Sequence, residues 1–234
     1  MGSIQPPGYA GVVPTHEGIM LDLPNVTSIA VDDRTDARTT QRLAEITRWH
    51  RRFMRLGREV IVSGARPDVP GIDWVKLAKW PPAPGGFGMP YSIWYQNELP
   101  KHFSTPFVLT WQMDGFAINP RHWSDDFLKY DYLGAPFAHN TNEVGNGGFS
   151  MRSNKFCEEA AKLPKCHGDV EDCYFCGPKR GELVSQGIIF APLEVARRWG
   201  VDWGNPAITN TFGFHGKSFI QRIVSRGRQV TKWP

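Results

Sequence analysis

Long apolar runs are missing from this sequence. No stretch approaches the ~18 apolar residues that a membrane-spanning helix requires, so no span is expected. Its first residues, Met1-Gly2-Ser3-Ile4-Gln5-Pro6-Pro7, carry neither a basic segment nor an apolar one, and no secretory leader is expected. Cysteine is scarce: Cys157, Cys166, Cys173 and Cys176 are the only four in 234 residues, in a chain long enough to bury its own core without staples. Reduced thiols and a cytoplasmic protein are the corresponding expectation. An excess of one charge is nearly absent as well. Lysine plus arginine (27) against aspartate plus glutamate (23) leaves +4, which does not argue for nucleic acid as a partner. There is no GxGxxG and no Walker loop. What the chain does have is 9 Trp, 14 Phe, 24 Gly and 19 Pro. Many aromatics and many turns describe a loop-rich α/β protein with large pockets.

The order of elements follows from periodicity. Residues 1–24 show none and read as an irregular arm. Val26 to Val31 is a β-branched run that reads as a buried strand. Asp32-Asp33-Arg34-Thr35-Asp36 is a turn able to cap a helix. The spacing of Leu43, Ile46, His50, Phe53 and Met54 predicts that helix, closed by Gly57. Glu59–Ser63 and Asp73–Leu77 read as strands two and three, so strand, helix and strand form a βαβ unit with parallel pairing. The Pro/Gly loop from Trp80 to Pro90 is a candidate flap. A helix is expected over Tyr91–Phe103, the strongest strand over Thr105–Gln112, a short capped helix over Pro120–Tyr130, and a glycine loop feeding a strand at Val144–Met151. Helices follow over Asn154–Leu163, from near Glu171, and toward Trp199. No composition break divides residues 25–216, and a basic tail fills 217–234.

Four stretches could carry chemistry. Asp114 directly follows the strongest strand and precedes Gly115. Ligands of open parallel sheets sit outside the carboxyl ends of strands, and a lone carboxylate there suits Mn²⁺ or Mg²⁺ shared with phosphate oxygens. Equally, Asp114 could cap a turn. In Gly145-Asn146-Gly147-Gly148, three glycines around one Asn permit close approach by a sugar ring, or make a tight β-turn. Asp169, Glu171 and Asp172 stand at a helix start, where carboxylates cap helices and where a general base could be held. His215, between Phe214 and Gly216, is either a packed core imidazole or a metal ligand. The four cysteines with His167 could instead bind zinc, although only Cys173–Cys176 is a CxxC pair.

Taken in order, Trp111–Phe116, Tyr130–Pro136, Val144–Ser153, Glu171–Asp172 and Phe212–Gly216 resemble a mostly bacterial family of domains of unknown function related to GT-A glycosyltransferases. The resemblance covers roughly residues 25–216. It implies an α/β fold, a Rossmann-like, mixed but mostly parallel sheet flanked by helices in a single domain. The implied activity is transfer of a sugar from a UDP- or GDP-sugar to a hydroxyl of a saccharide or lipid-linked acceptor. GT-A enzymes carry a DxD motif; the matching segment here is Gln112-Met113-Asp114, so only the last acid is present. The resemblance assigns Asp114 and His215 to Mn²⁺ or Mg²⁺, Asp172 with Glu171 in reserve to the base of an inverting displacement, and Asp32 and Asp33 to the nucleotide. Gly115, Asn146, Gly147 and Gly148 complete the expected donor cleft. Two other readings compete: a non-catalytic carbohydrate-binding module, and a metal-dependent nucleotidyltransferase or hydrolase using Asp114. The basic tail suggests peripheral contact with an anionic membrane. The oligomeric state is left open.

Overall fold

A computed structural model describes residues 18–80, 89–137, 144–166, 170–202 and 210–216. The chain forms β1 (Leu21–Asp32), α1 (Ala37–His50), β2 (Met54–Ser63), β3 (Asp73–Lys76) and α2 (Met89–Asn97). Next come β4 (Phe107–Trp111), β5 (Gly115–Ala117), β6 (Tyr132–Gly134), β7 (Phe149–Ser153) and α3 (Asn154–Lys162). The last elements are α4 (Glu171–Cys176), α5 (Arg180–Ser185), α6 (Leu193–Trp199), β8 (Gly200–Val201) and β9 (Gly213–His215). Six strands make one sheet in the order β3-β2-β1-β4-β7-β6. The pairs from β3 to β4 are parallel, and β7 runs antiparallel to both of its neighbours. A second sheet, β5-β9-β8, stands beside it.

Both faces of the large sheet are covered, which explains its continuous apolar strands. Alternate residues face opposite ways. On one face Val26, Ala30, Ile61, Leu109 and Trp111 pack with Leu43, Ile46 and Trp49 of α1 and Val195 and Trp199 of α6. On the other, Ile29, Val31, Val60, Val62 and Val108 meet Tyr91 and Tyr95 of α2, Phe156 of α3 and Phe175 of α4. The Asp36 carboxylate caps α1 by accepting from the Thr39 amide (2.9 Å). The end of α1 is fastened to the small sheet. Trp49 Nε1 donates to the Ala117 carbonyl (3.0 Å), and the Ala117 amide donates to His50 Nε2 (3.3 Å).

Several boundaries differ from those expected. Residues 21–24 belong to β1 rather than to an arm, because Leu21 pairs with Met54 at the start of β2. Gly57 does not close a helix. It lies inside β2, where a Cβ would stand 2.0 Å from the Pro24 carbonyl oxygen, so strand contact and not helix capping requires glycine. Expected helices over Tyr91–Phe103 and Pro120–Tyr130 are each broken: α2 passes into a 3-10 turn at Leu99–His102, and Pro120–His122 and Asp125–Lys129 are separate 3-10 turns. Most of the Pro/Gly loop (81–88), His167, Asp169 and the basic tail lie outside the described residues.

Candidate functional site

Strand β1 has β2 on one side and β4 on the other, so the chain reverses its direction of sheet growth there. Ligands of open α/β sheets bind outside the carboxyl ends of strands at such a switch point. The tips of β1 and β4 deliver Asp32–Arg34 and Gln112–Asp114 to this place.

The small sheet brings His215 to the same place, since β9 pairs with β5 and sets His215 opposite Gly115. The imidazole is wedged between glycines. A Cβ on Gly115 would lie 2.7 Å from its Cδ2, and one on Gly148 would lie 2.2 Å from its Nε2. His215 Nδ1 is 3.1 Å from Asp202 Oδ1 and 2.9 Å from Asn146 Nδ2, while Nε2 is 3.2 Å from Gln112 Oε1. Burial opposes its charged form, yet the Asp202 hydrogen bond and the charges of Asp114, Asp202 and Asp172 carry its pKa upward. Gln112 is thus no idle replacement for an acid. Its carbonyl faces His215 and its amide donates to the Tyr91 hydroxyl. Tyr91 stays protonated, its phenol pushed well up by burial.

The glycine loop is held from below. The Gly147 amide donates to Asp172 Oδ2 (2.7 Å), and the Gly147 carbonyl accepts from the Ser150 hydroxyl (3.2 Å). The Gly148 amide donates to Asn146 Oδ1 (3.0 Å). Beneath Gly147 lies an ion pair, Arg152 Nη2 to Glu171 Oε1 at 2.9 Å, with both side chains 1% exposed. Arg152 also donates through Nε to Ser150 Oγ (3.0 Å) and packs over the rings of Tyr95 and Tyr132. A Cβ on Gly147 would stand 2.7 Å from Glu171 Oε1 and 2.8 Å from Arg152 Nη2. Burial, then the Asp172 charge, push the Glu171 carboxyl up, and Arg152 works against both.

The expected residues therefore divide. Asp114, Gly115, Asn146, Gly147, Gly148, Asp172 and His215 converge. Glu171 is in contact with them but is sealed beneath the loop and committed to Arg152, a position that suits support rather than proton transfer. Asp32 and Asp33 reach the cleft, but their carboxylates are engaged by the chain itself. Asp32 pairs with Arg34, and Asp33 Oδ2 accepts from the Trp80 amide (3.1 Å). Phe149 and Trp94 are both buried, so neither offers an open ring face for a sugar to stack on. Sequence reading passed over Arg34, Asp202 and the role of Arg152. An arginine inside the apolar run of β7 was a usable signal for Arg152; Asp202 offered none.

The groups that could hold a cation are the Asp114 carboxylate, which has no hydrogen-bond or ion-pair partner among the described residues, and the His215 imidazole, with the neutral Gln112 oxygen beside it. Such a set fits a hard divalent ion that keeps positions for phosphate oxygens. Among the described residues no three or more His, Cys, Asp or Glu side chains group to hold a metal, either at the Asp114–His215 cleft or at the cysteines. Cys157, Cys166 and Cys176 are buried, and burial pushes the Cys157 thiol up to about 12.

Residues 92–215, more than half of the chain, match the family described as "Protein of unknown function (DUF5672)". The chain belongs to the DUF5672 family. The DUF5672 segment starts within α2 and ends at His215, so it contains Gln112, Asp114, the glycine loop, Asp172 and Asp202 but not β1. No curated protein matches the chain significantly. Among solved structures, an active-site mutant of LgtC is similar at 13% identity and TM-score 0.50, over 89% of this chain and 97% of that one. A second structure, of the galactosyltransferase LgtC with donor and acceptor sugar analogues, is similar at 10% identity and TM-score 0.44, again over 89% and 97%. The first likeness establishes the fold: one mixed, mostly parallel α/β domain of GT-A type.

Proposed function

We propose that this protein is a glycosyltransferase that moves a sugar from a nucleoside diphosphate sugar to a hydroxyl of a saccharide or lipid-linked acceptor. The observation that carries the reading is the meeting of an unpaired carboxylate, Asp114, with His215, Asn146 and Asp172 at the sheet's switch point. The shared fold with LgtC supports the same class. Asp114 and His215 would hold Mn²⁺ or Mg²⁺. That ion, when bound, neutralises charge on the diphosphate.

Asp172 is the proposed base. Its two oxygens accept from the Gly147 and Cys173 amides (both 2.7 Å), which fixes its direction. It takes the proton of the acceptor hydroxyl as that oxygen bonds to the anomeric carbon. The bond from this carbon to the diphosphate oxygen breaks, the diphosphate leaves with the electron pair, and the carbon is inverted. The space that side chains on Gly147 and Gly148 would fill is taken by the Arg152–Glu171 pair and by His215, so these glycines let the loop close on both.

The test is a screen of UDP- and GDP-sugars with and without Mn²⁺, read as product mass. Sugar transfer or slow donor hydrolysis that is lost in Asp114→Asn supports the reading. Binding of free sugars with no nucleotide dependence would instead identify a carbohydrate-binding module. Release of nucleoside monophosphate without sugar transfer would identify a hydrolase.

A further inference from the structure

Asp32 and Asp33 do not offer free carboxylates to a ligand, and the group they present is a cation. Arg34 lies against Asp32 side-on. Its Nε donates to Oδ1 (2.8 Å) and its Nη2 to Oδ2 (2.5 Å), while its own backbone amide also donates to Oδ1 (3.0 Å). This uses one edge of the guanidinium. Nη1 has no hydrogen-bond partner among the described residues, and the side chain is 55% exposed. The same Nη2 is 3.9 Å from Met113 Sδ, which puts the guanidinium across the gap between the β1 and β4 tips, beside the turn that holds Asp114.

The backbone beneath Arg34 is constrained as well. A Cβ on Gly64, at the tip of β2, would stand 3.0 Å from the Arg34 carbonyl oxygen and 2.7 Å from that of Asp33, so the turn rests on the neighbouring strand. Asp33 ties it to the Trp80 amide. Asp36 closes the turn as the cap of α1. A planar fork held along one edge, with its other edge facing a crevice, suits the oxygens of a phosphate group. An ordinary surface ion pair would not need a second support from β2 and a third from Trp80.

We propose that Arg34, held side-on by Asp32 at the β1–β4 switch point, is a binding residue for the diphosphate of a nucleoside diphosphate. The inference rests on the donor class of the proposed function and adds a residue outside the DUF5672 segment. Arg34 supplies positive charge across the cleft from Asp114, in a site whose first DxD position is the uncharged Gln112.

The test is calorimetric binding of UDP, GDP and inorganic pyrophosphate to the full chain, with Mn²⁺ and again with EDTA. We expect Arg34→Ala to weaken nucleotide and pyrophosphate binding by roughly 10–100-fold, as loss of a charged hydrogen-bonded pair does. Arg34→Lys keeps the charge without the fork and should fall between the two. Asp32→Asn should weaken binding less than Arg34→Ala, because the cation remains but is no longer held. The residual binding in EDTA should disappear in Arg34→Ala. If the native protein binds a nucleoside diphosphate and both Arg34 variants bind it equally well, Arg34 is only a surface ion pair and the inference is overturned. If the native protein binds neither nucleotide nor pyrophosphate under either condition, the glycosyltransferase reading falls with it.

Discussion

At the scale of single residues, the site is built from close approaches that leave no room for a side chain. The Cδ2 edge of the His215 ring lies where a Cβ on either Gly115 or Gly148 would stand. Gly148→Ala should therefore displace the imidazole, lower transfer by at least about tenfold, and reduce stability by roughly 1–3 kcal/mol, the usual range for overpacking. Chemical denaturation and product formation would check both. Asp114→Asn should behave oppositely: transfer lost, with stability within about 0.5 kcal/mol of the native value, because its carboxylate has no hydrogen-bond or ion-pair partner among the described residues. A third contrast concerns the pair under the loop. Arg152→Met alone leaves Glu171 as a buried charge without its partner and should cost about 3–5 kcal/mol. The double variant Arg152→Met, Glu171→Leu removes both charges and should recover most of that loss in a urea titration.

At the scale of elements, the clearest coupling is between the end of α1 and the small sheet that carries His215. His50 is buried, and its Nε2 is the acceptor for the Ala117 amide. Burial lowers its pKa to about 3, so the folded state holds it neutral while the unfolded chain takes up a proton near pH 6.5. The folded-state value is the lower one. This contribution to stability is therefore complete above pH 6.5 and is lost as pH falls toward 3. The loss is about 1.4 kcal/mol for each pH unit, roughly 2 kcal/mol at pH 5. Comparing denaturation midpoints at pH 7 and pH 5 tests it. In His50→Gln this part of the acid loss should be missing, even though the variant begins less stable. The elements themselves were mostly legible from periodicity. Their ends were not: Gly57 reads as a helix stop by composition, and only the neighbouring strand shows that it is needed for contact with Pro24.

At the scale of the molecule, the site is divided between two sheets and spans the chain from Asp32 to His215, so a ligand bound across it holds both. A nucleoside diphosphate with Mn²⁺ at 100 times its dissociation constant should stabilise the protein by about 2.7 kcal/mol. For a domain of this size that is a rise in melting temperature of roughly 5–11 °C. Thermal denaturation with and without UDP or GDP reads it directly, and an unchanged melting temperature with every donor nucleotide would count against the proposed function. Among the described residues no helix is long and apolar enough to cross a membrane.

The sequence by itself determined the class of the fold and put Asp114 at a strand end, while a resemblance to GT-A enzymes singled out His215 and Asp172 and nothing marked Asp202. Buried β-branched runs alternating with amphipathic helices specify a covered parallel sheet, and Asp114 at the end of the strongest strand follows from that pattern alone. It could not say which acids face a ligand. What stands beside a carboxylate is only partly local: Arg34 is two residues from Asp32, whereas packing of separated segments sets Trp80 beside Asp33 and Arg152 beside Glu171. Local patterns record spacing along the chain. Pairing between separated segments is decided only when the sheet closes, which is why the Arg152–Glu171 pair and the contact of Asp33 with the Trp80 amide were not legible in the sequence.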